Sequence, residues 1–125
     1  MSEDRLSKML ELRERFMRDL AAARPAVLQK WPVDITSKEG QQAVRDTVLK
    51  GVEEMFEALA HLKNHKAHRL TEVKDFDQAA FLEEYVDAFN FFFAVPIMLG
   101  ISADELYDAY LKKDNIINDR IKKGY

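Results

Sequence analysis

The chain has 125 residues, of which 47% are hydrophobic and 33% are charged, a balance typical of one globular domain. Its formal net charge of −3 gives no overall basic field that would attract nucleic acid. The absence of cysteine excludes disulfides, thiolate metal ligands and a cysteine nucleophile. Because no apolar run has the length of a membrane span, we expect a single cytoplasmic domain over residues 1–125, with no nucleic acid or membrane partner.

The first two predicted helices are separated by prolines. Apolar residues recur at helical spacing from about residue 4 to about residue 23, and Pro25 and the Trp31-Pro32 pair then interrupt the pattern. The second helix begins at residues 36–39, whose sequence Thr-Ser-Lys-Glu has the pattern of a capping box, and continues to about Asn64.

Two further helices complete the chain. The third begins near Asp75 or Asp77 and ends at Gly100, a residue type that commonly follows the last turn of a helix. The fourth begins at a second capping box, residues 102–105, and ends at Gly124. Since β-branched residues are few and strand-like alternation is absent, the sequence predicts an all-α fold with a four-helix-bundle-like core.

Two short acidic motifs carry the strongest chemical signal. Glu54 and Glu57 lie three residues apart on the second predicted helix, and Glu84 and Asp87 repeat that spacing on the third. Residues at i and i+3 share a helix face, so each pair presents two carboxylates together. The second motif lies among aromatic residues, where a buried carboxylate must be paired, protonated or bound to metal. Asn90 lies in the same angular sector of the third helix as these carboxylates. It would complete the ligand shell of a metal ion, hydrogen-bond to the edge of a nucleobase, or be a buried amide whose hydrogen bonds are all made.

The first acidic pair has an alternative interpretation, because Glu54 and Glu57 lie nearly opposite the apolar stripe of their helix, where solvated glutamates are common. Both pairs together favour a hard divalent cation, Mg²⁺ or Mn²⁺. A ferritin-like di-iron site uses Glu-x-x-His, which the chain lacks, since His61 follows Glu57 by four residues. Carboxylates, a hard cation and no covalent nucleophile are typical of phosphoryl transfer to water.

Basic side chains that would bind phosphates occur in two places. Lys63 and Lys66 follow the second helix, and Lys113 and Arg120 share a face of the fourth because they are seven residues apart. The alternative for each is a solvated charge that favours the helix dipole. Trp31 would stack on a nucleobase or pack in a core or an interface.

Three segments occur in a specific order: EMFE at 54–57 with LKNHK at 62–66, EEYVDAFNFF at 83–92, and YLKKDNIINDRIKKGY at 110–125. Together they resemble the all-α nucleoside triphosphate pyrophosphohydrolases, which include the MazG proteins and the all-α dUTPases. The dUTPase-like branch is most similar, over roughly residues 31–125. The resemblance implies a homodimer or homotetramer that converts NTP and water to NMP and pyrophosphate with two or more Mg²⁺.

The resemblance also implies roles for individual residues. The metal ligands would be Glu54, Glu57, Glu84 and Asp87, with Glu53 or Glu83 as the base. The phosphate and substrate contacts would be Lys63, Lys66, Lys113, Asn118 and Arg120.

Some positions depart from the dUTPase-like pattern and bear on the choice of base. That pattern usually has histidine in place of Asn90, an aromatic residue near His65 and asparagine in place of Asp114. These differences leave two substrate hypotheses open, namely dUTP and a purine deoxynucleotide such as dGTP or dATP, the latter known for short phage relatives.

A hypothesis from another class is a non-catalytic helical interaction module. Phe89 and residues 91–93 would then pack against a partner, although the same side chains suit a helical core or a homodimer interface. Stabilisation by excess Mg²⁺ or Mn²⁺ would favour the enzyme, because a plain interaction module has no metal site.

Overall fold

A computed structural model of the protein describes residues 4–26 and 30–124. The described residues contain helices and no strand, which confirms the all-α prediction. The four helices are α1 (Arg5–Ala23), α2 (Lys38–Leu59), α3 (Gln78–Met98) and α4 (Ala103–Lys122). The chain divides into two compact units, one of residues 33–95 and one of the described residues up to Pro32 together with those from Pro96 onward.

The start of α2 differs from the prediction because Asp34 binds Thr36. The backbone N–H and the Oγ1 of Thr36 both donate to Oδ1 of Asp34, at 3.0 and 2.6 Å. Ser37 is therefore the N-cap, and its Oγ accepts a hydrogen bond from the N–H of Gly40 at 2.9 Å. Since glycine rather than glutamate stands three residues after this cap, the capping box predicted at residues 36–39 is wrong.

The connection between α2 and α3 is longer than predicted. The N–H groups of His61 and Leu62 donate to the carbonyls of Ala58 and Leu59, three residues back, at 3.1 and 2.9 Å. Such i+3 bonds tighten the chain into 3₁₀ geometry and end the α-helix before the predicted end at residue 64. At the start of α3, Oδ1 of Asp77 accepts from the N–H of Ala80 at 3.0 Å, which confirms the predicted start near residue 77.

In the other unit, α1 packs against α4. Ser102 caps α4: its Oγ accepts from the N–H of Glu105 at 3.1 Å, and the Glu105 carboxylate accepts from the N–H of Ser102 at 3.3 Å. This reciprocal pair confirms the second predicted capping box.

The end of the third helix is also as predicted. Gly100 has φ +70°, its N–H donates to Ile97 O at 3.1 Å, and the N–H of Ile101 donates to Pro96 O at 2.8 Å. These bonds form a Schellman motif, which needs a residue that tolerates positive φ.

In α2 and the first half of α3, the buried residues are small. Gly51, Ala58 and Ala88 are buried, whereas much of the apolar surface in these parts stays exposed. Apolar residues surround the axis of α3, as in a central buried helix, yet its first half is not buried on all sides. The exposed apolar side chains of the two helices are Leu49, Val52, Phe56, Leu82, Val86 and Phe89.

Among the described residues, no single helix is long and apolar enough to cross a bilayer. Taken together as a bent pair, α3 and α4 have the length and composition of a broken membrane span.

Candidate metal centre

The close approach of α2 and α3 depends on a glycine. A Cβ atom placed on Gly51 would lie 2.5 Å from Cε1 of Phe92 on α3, well inside the van der Waals limit. The ring of Phe92 therefore occupies the space that any other residue at position 51 would need. This packing brings the two helices together next to the acidic motifs, because Gly51 precedes Glu54 by less than one turn.

The two acidic motifs meet across this contact. One carboxylate oxygen from each of Glu54, Glu84 and Asp87 lies within 4.8 Å of the other two. Glu57 lies beside these three, because it raises the pKa of both Glu54 and Glu84. The structure thus brings together all four side chains that the sequence singles out as ligands; we call them the carboxylate cluster.

Two members of the carboxylate cluster, Glu84 and Glu54, have raised pKa values. Partial burial raises the pKa of Glu84, and the hydrogen bond and charge of Glu57 and the charge of Asp87 raise it further, whereas His61 lowers it. Glu54 behaves alike: partial burial is the main cause of its raised pKa, followed by Glu57, Asp87 and Glu84. Both shifts have the direction expected of partly buried carboxylates that repel one another.

This donor set suits a hard divalent cation. Oxygen ligands alone, supplied as carboxylates from two facing helices, are what Mg²⁺ and Mn²⁺ prefer, and thiolate or multiple imidazole ligands are absent from the cluster. A bound cation would offset the repulsion between carboxylates that contributes to the raised pKa values of Glu54 and Glu84. The residues present therefore fit the metal that the sequence predicts.

Three further predicted site residues of this unit are close to the acidic motifs in the sequence, but the structure does not show them as members of the carboxylate cluster. Glu53 and Glu83 are exposed, while Asn90 is half-buried on α3, three residues after Asp87. Their predicted roles stay predictions.

The basic segment after α2 borders a cavity. Lys63 and Lys66 are exposed, and Lys63 lines a cavity of about 310 Å³. The other residues that line it are Leu62, Asn64, His65, Val73 and Phe76. Apolar and polar groups together are typical of small-molecule pockets.

Four predicted substrate contacts belong to the other unit. Lys113, Asn118 and Arg120 are exposed on α4, and Trp31 is half-buried. Nδ2 of Asn118 donates to Oδ2 of Asp114 at 3.2 Å, one turn earlier on the same helix. Contact of these residues with substrate remains a prediction.

Two residues near the carboxylate cluster have no role in the sequence-based prediction. The sequence does contain a signal for Gly51. Glycine inside a helix lowers the stability of the helix by about 1 kcal/mol relative to alanine, so its presence there indicates a packing constraint. His61 also has a signal, since a histidine four residues after Glu57, in the turn that follows α2, is a titratable group close to an acidic motif in the sequence.

Comparison with known proteins identifies a family for the chain. A family model described as dUTPase matches residues 33–125, which include both acidic motifs and the C-terminal basic segment. No curated protein and no solved structure matches the chain. The match covers well over half of the sequence, and the helical structure is the one that such a family requires. The chain therefore belongs to the all-α dUTPase family, which consists of nucleotide-hydrolysing enzymes.

Proposed function

We propose that the protein is a Mg²⁺-dependent nucleoside triphosphate pyrophosphohydrolase that converts a deoxynucleotide such as dUTP to the monophosphate and pyrophosphate. The observation that carries the proposal is the meeting of Glu54, Glu84 and Asp87, from two helices, within 4.8 Å in a chain of this family. Carboxylates that converge from two helices repel one another, and a bound cation would offset that repulsion.

The four members of the carboxylate cluster would hold the cation, Mg²⁺ or Mn²⁺. When bound, the cation supplies positive charge against the phosphate oxygens and makes a nearby water easier to deprotonate. The protein must also accept the proton of that water, and Glu53 is the proposed base, with Glu83 as the alternative. Water forms a new P–O bond, the bridging P–O bond between the α- and β-phosphates breaks, and the proton passes to the carboxylate.

The proposed substrate contacts are basic, polar and aromatic side chains. Lys63 and Lys66 would bind phosphate oxygens, and Asn90 would contact the base or a ligand of the cation. Lys113, Asn118 and Arg120 would bind the phosphate chain, and Trp31 would stack on the base. A chain without a strong positive charge needs such local basic groups to hold a triphosphate.

We also propose that the protein works as a homodimer or homotetramer. Leu49, Val52 and Phe56 form a stripe on α2, at spacings of three and four residues, and Phe56 is 64% exposed. Large exposed apolar side chains in a row are typical of an interface. A second copy of this chain is the partner that the family resemblance implies.

The experiment that tests the function is pyrophosphate release from the canonical ribo- and deoxynucleoside triphosphates together with dUTP. Each reaction is run with Mg²⁺, with Mn²⁺ and with EDTA. Turnover that needs the cation supports the proposal, and its distribution over the substrates decides between dUTP and a purine deoxynucleotide. If no substrate releases pyrophosphate, the non-catalytic interaction module becomes the better interpretation.

A further inference from the structure

The cavity in the connection between α2 and α3 has residues from both ends of that connection in its wall. Leu62, Lys63, Asn64 and His65 follow α2 closely, whereas Val73 and Phe76 come shortly before α3. The volume of about 310 Å³ is at the lower end of the range for small-molecule pockets. The cavity belongs to the same unit of the chain as the carboxylate cluster. It therefore has the size for one small ligand, in the unit that carries the acidic motifs.

Phe76 gives this cavity an aromatic wall. The centroid of its ring lies 5.6 Å from that of Phe81 on α3, and the ring of Phe81 stacks on Tyr85 with centroids 5.8 Å apart. Phe76 nevertheless remains 46% exposed. The ring is thus supported by α3 and keeps accessible surface beside the cavity. An aromatic ring of this kind is a stacking surface for a planar ligand.

The rest of the wall combines apolar and polar side chains. Leu62 and Val73 are apolar, while Asn64 and Lys63 are exposed polar groups at its edge. An asparagine amide has both a donor and an acceptor, which is the combination that the edge of a nucleobase requires. A lysine ammonium suits the phosphate that such a base carries. An aromatic surface, an amide and a cation around one small cavity have the chemistry of a nucleotide subsite rather than of a purely apolar pocket.

We propose that this cavity holds the base of the nucleotide substrate, with Phe76 stacked on the base and Asn64 hydrogen-bonded to its edge. The inference rests on the proposed function, because it takes a nucleotide as the substrate. It is separate from the contact proposed for Trp31, since a base has two faces. The choice between dUTP and a purine deoxynucleotide would then depend on the residue at position 64.

The test of the stacking contact measures nucleotide binding in EDTA, so that neither a cation nor turnover contributes. The deoxynucleoside monophosphates of uracil, thymine, cytosine, adenine and guanine are titrated by calorimetry, and inorganic phosphate is the probe without a base. We expect wild type to bind at least one of these nucleotides. Phe76→Ala should weaken that binding about fivefold or more, as loss of one stacked base does, and leave the affinity for phosphate unchanged.

Two further variants separate stacking from packing. Phe76→Tyr keeps the ring and should bind the nucleotides like wild type. Phe16→Ala makes the same change at a phenylalanine on α1 that is 49% exposed, so it is the matched control and should also bind like wild type. Asn64→Ala tests the reading of the base edge, because loss of the amide should reduce the differences in Kd among the five nucleotides. Circular dichroism of every variant establishes that the helices are retained.

Each outcome decides a different point. Wild type that binds none of the monophosphates, or Phe76→Ala that binds them equally well, overturns the base subsite. A loss in Phe76→Ala that Phe76→Tyr shares also overturns it, because it would indicate packing against Phe81 rather than stacking. An unchanged base preference in Asn64→Ala overturns the role of Asn64 alone. Pyrophosphate release from the triphosphates decides the proposed function separately, since it does not depend on where the base binds.

Discussion

Replacing Gly51 with alanine perturbs the metal centre without touching a carboxylate. The added Cβ would lie 2.5 Å from the Phe92 ring, and ordinary contact begins at 3.4 Å, so ring or helix must yield by 3.4 − 2.5 = 0.9 Å. Overpacking of this kind costs about 1–3 kcal/mol, and the better helix propensity of alanine returns about 1 kcal/mol. We therefore expect Gly51→Ala to destabilise the protein by about 1 kcal/mol, or about 4 °C in Tm.

The displacement should also reach the carboxylate cluster, because Glu54 follows Gly51 on α2 and Asp87 precedes Phe92 on α3. Metal ligands tolerate errors of only about 0.2 Å, so Mn²⁺ should bind more weakly to Gly51→Ala than to wild type. Urea unfolding and a Mn²⁺ titration measure the two effects. Phe92→Leu is the matched second change, since a smaller side chain makes room for the new methyl group.

The double variant decides whether this contact is the cause. The double variant should lose less stability than the sum of the losses in Gly51→Ala and Phe92→Leu. We expect the difference to be at least about 0.5 kcal/mol, because substitutions of residues in direct contact are not additive. Additive effects, or a Gly51→Ala variant as stable as wild type with unchanged Mn²⁺ affinity, would refute the claim that Gly51 sets the spacing of the two helices.

Two further predictions concern charge and surface. Because the folded state raises the pKa of Glu84, it binds more protons than the unfolded chain, so this residue lowers the free energy of unfolding as pH rises above about 4.3. Metal-free Glu84→Gln should therefore have a higher Tm than wild type in EDTA at neutral pH, and the difference should shrink towards pH 4; a lower Tm at neutral pH would contradict this. Phe56→Asp should convert the proposed homo-oligomer to a 14.5 kDa monomer in light scattering, and an unchanged mass would exclude Phe56 from the proposed interface.

The sequence predicts most of the helical architecture because its signals are local. Ser102 and Glu105 cap α4 with their own side chains, and Gly100 ends α3 by its positive φ, so neither depends on distant residues. The capping box at residues 36–39 is wrong because Asp34, outside the motif, binds Thr36 first. A capping pattern does not reveal which of two adjacent hydroxyl groups a neighbouring carboxylate will bind.

The acidic residues of the site are predictable from spacing, but their surroundings are not. The i, i+3 repeats identify Glu54 and Asp87, whereas the contact that unites them requires knowing that Phe92 packs on Gly51. The apolar stripe of α2 reads as core from periodicity alone, yet Phe56 is largely exposed. Periodicity locates an apolar face and does not say whether the chain itself or a second copy covers it.

The measurement that tests the central claim most directly is the rate of pyrophosphate release from dUTP by wild type, Asp87→Asn and Glu72→Gln with saturating Mg²⁺. Glu72 is an exposed glutamate between α2 and α3 and has no assigned role, so Glu72→Gln is the control for removing one negative charge. We predict Mg²⁺-dependent turnover in wild type and Glu72→Gln, and none in Asp87→Asn, although its circular dichroism matches wild type. Equal kcat in all three proteins would contradict the assignment of the carboxylate cluster as the catalytic metal centre.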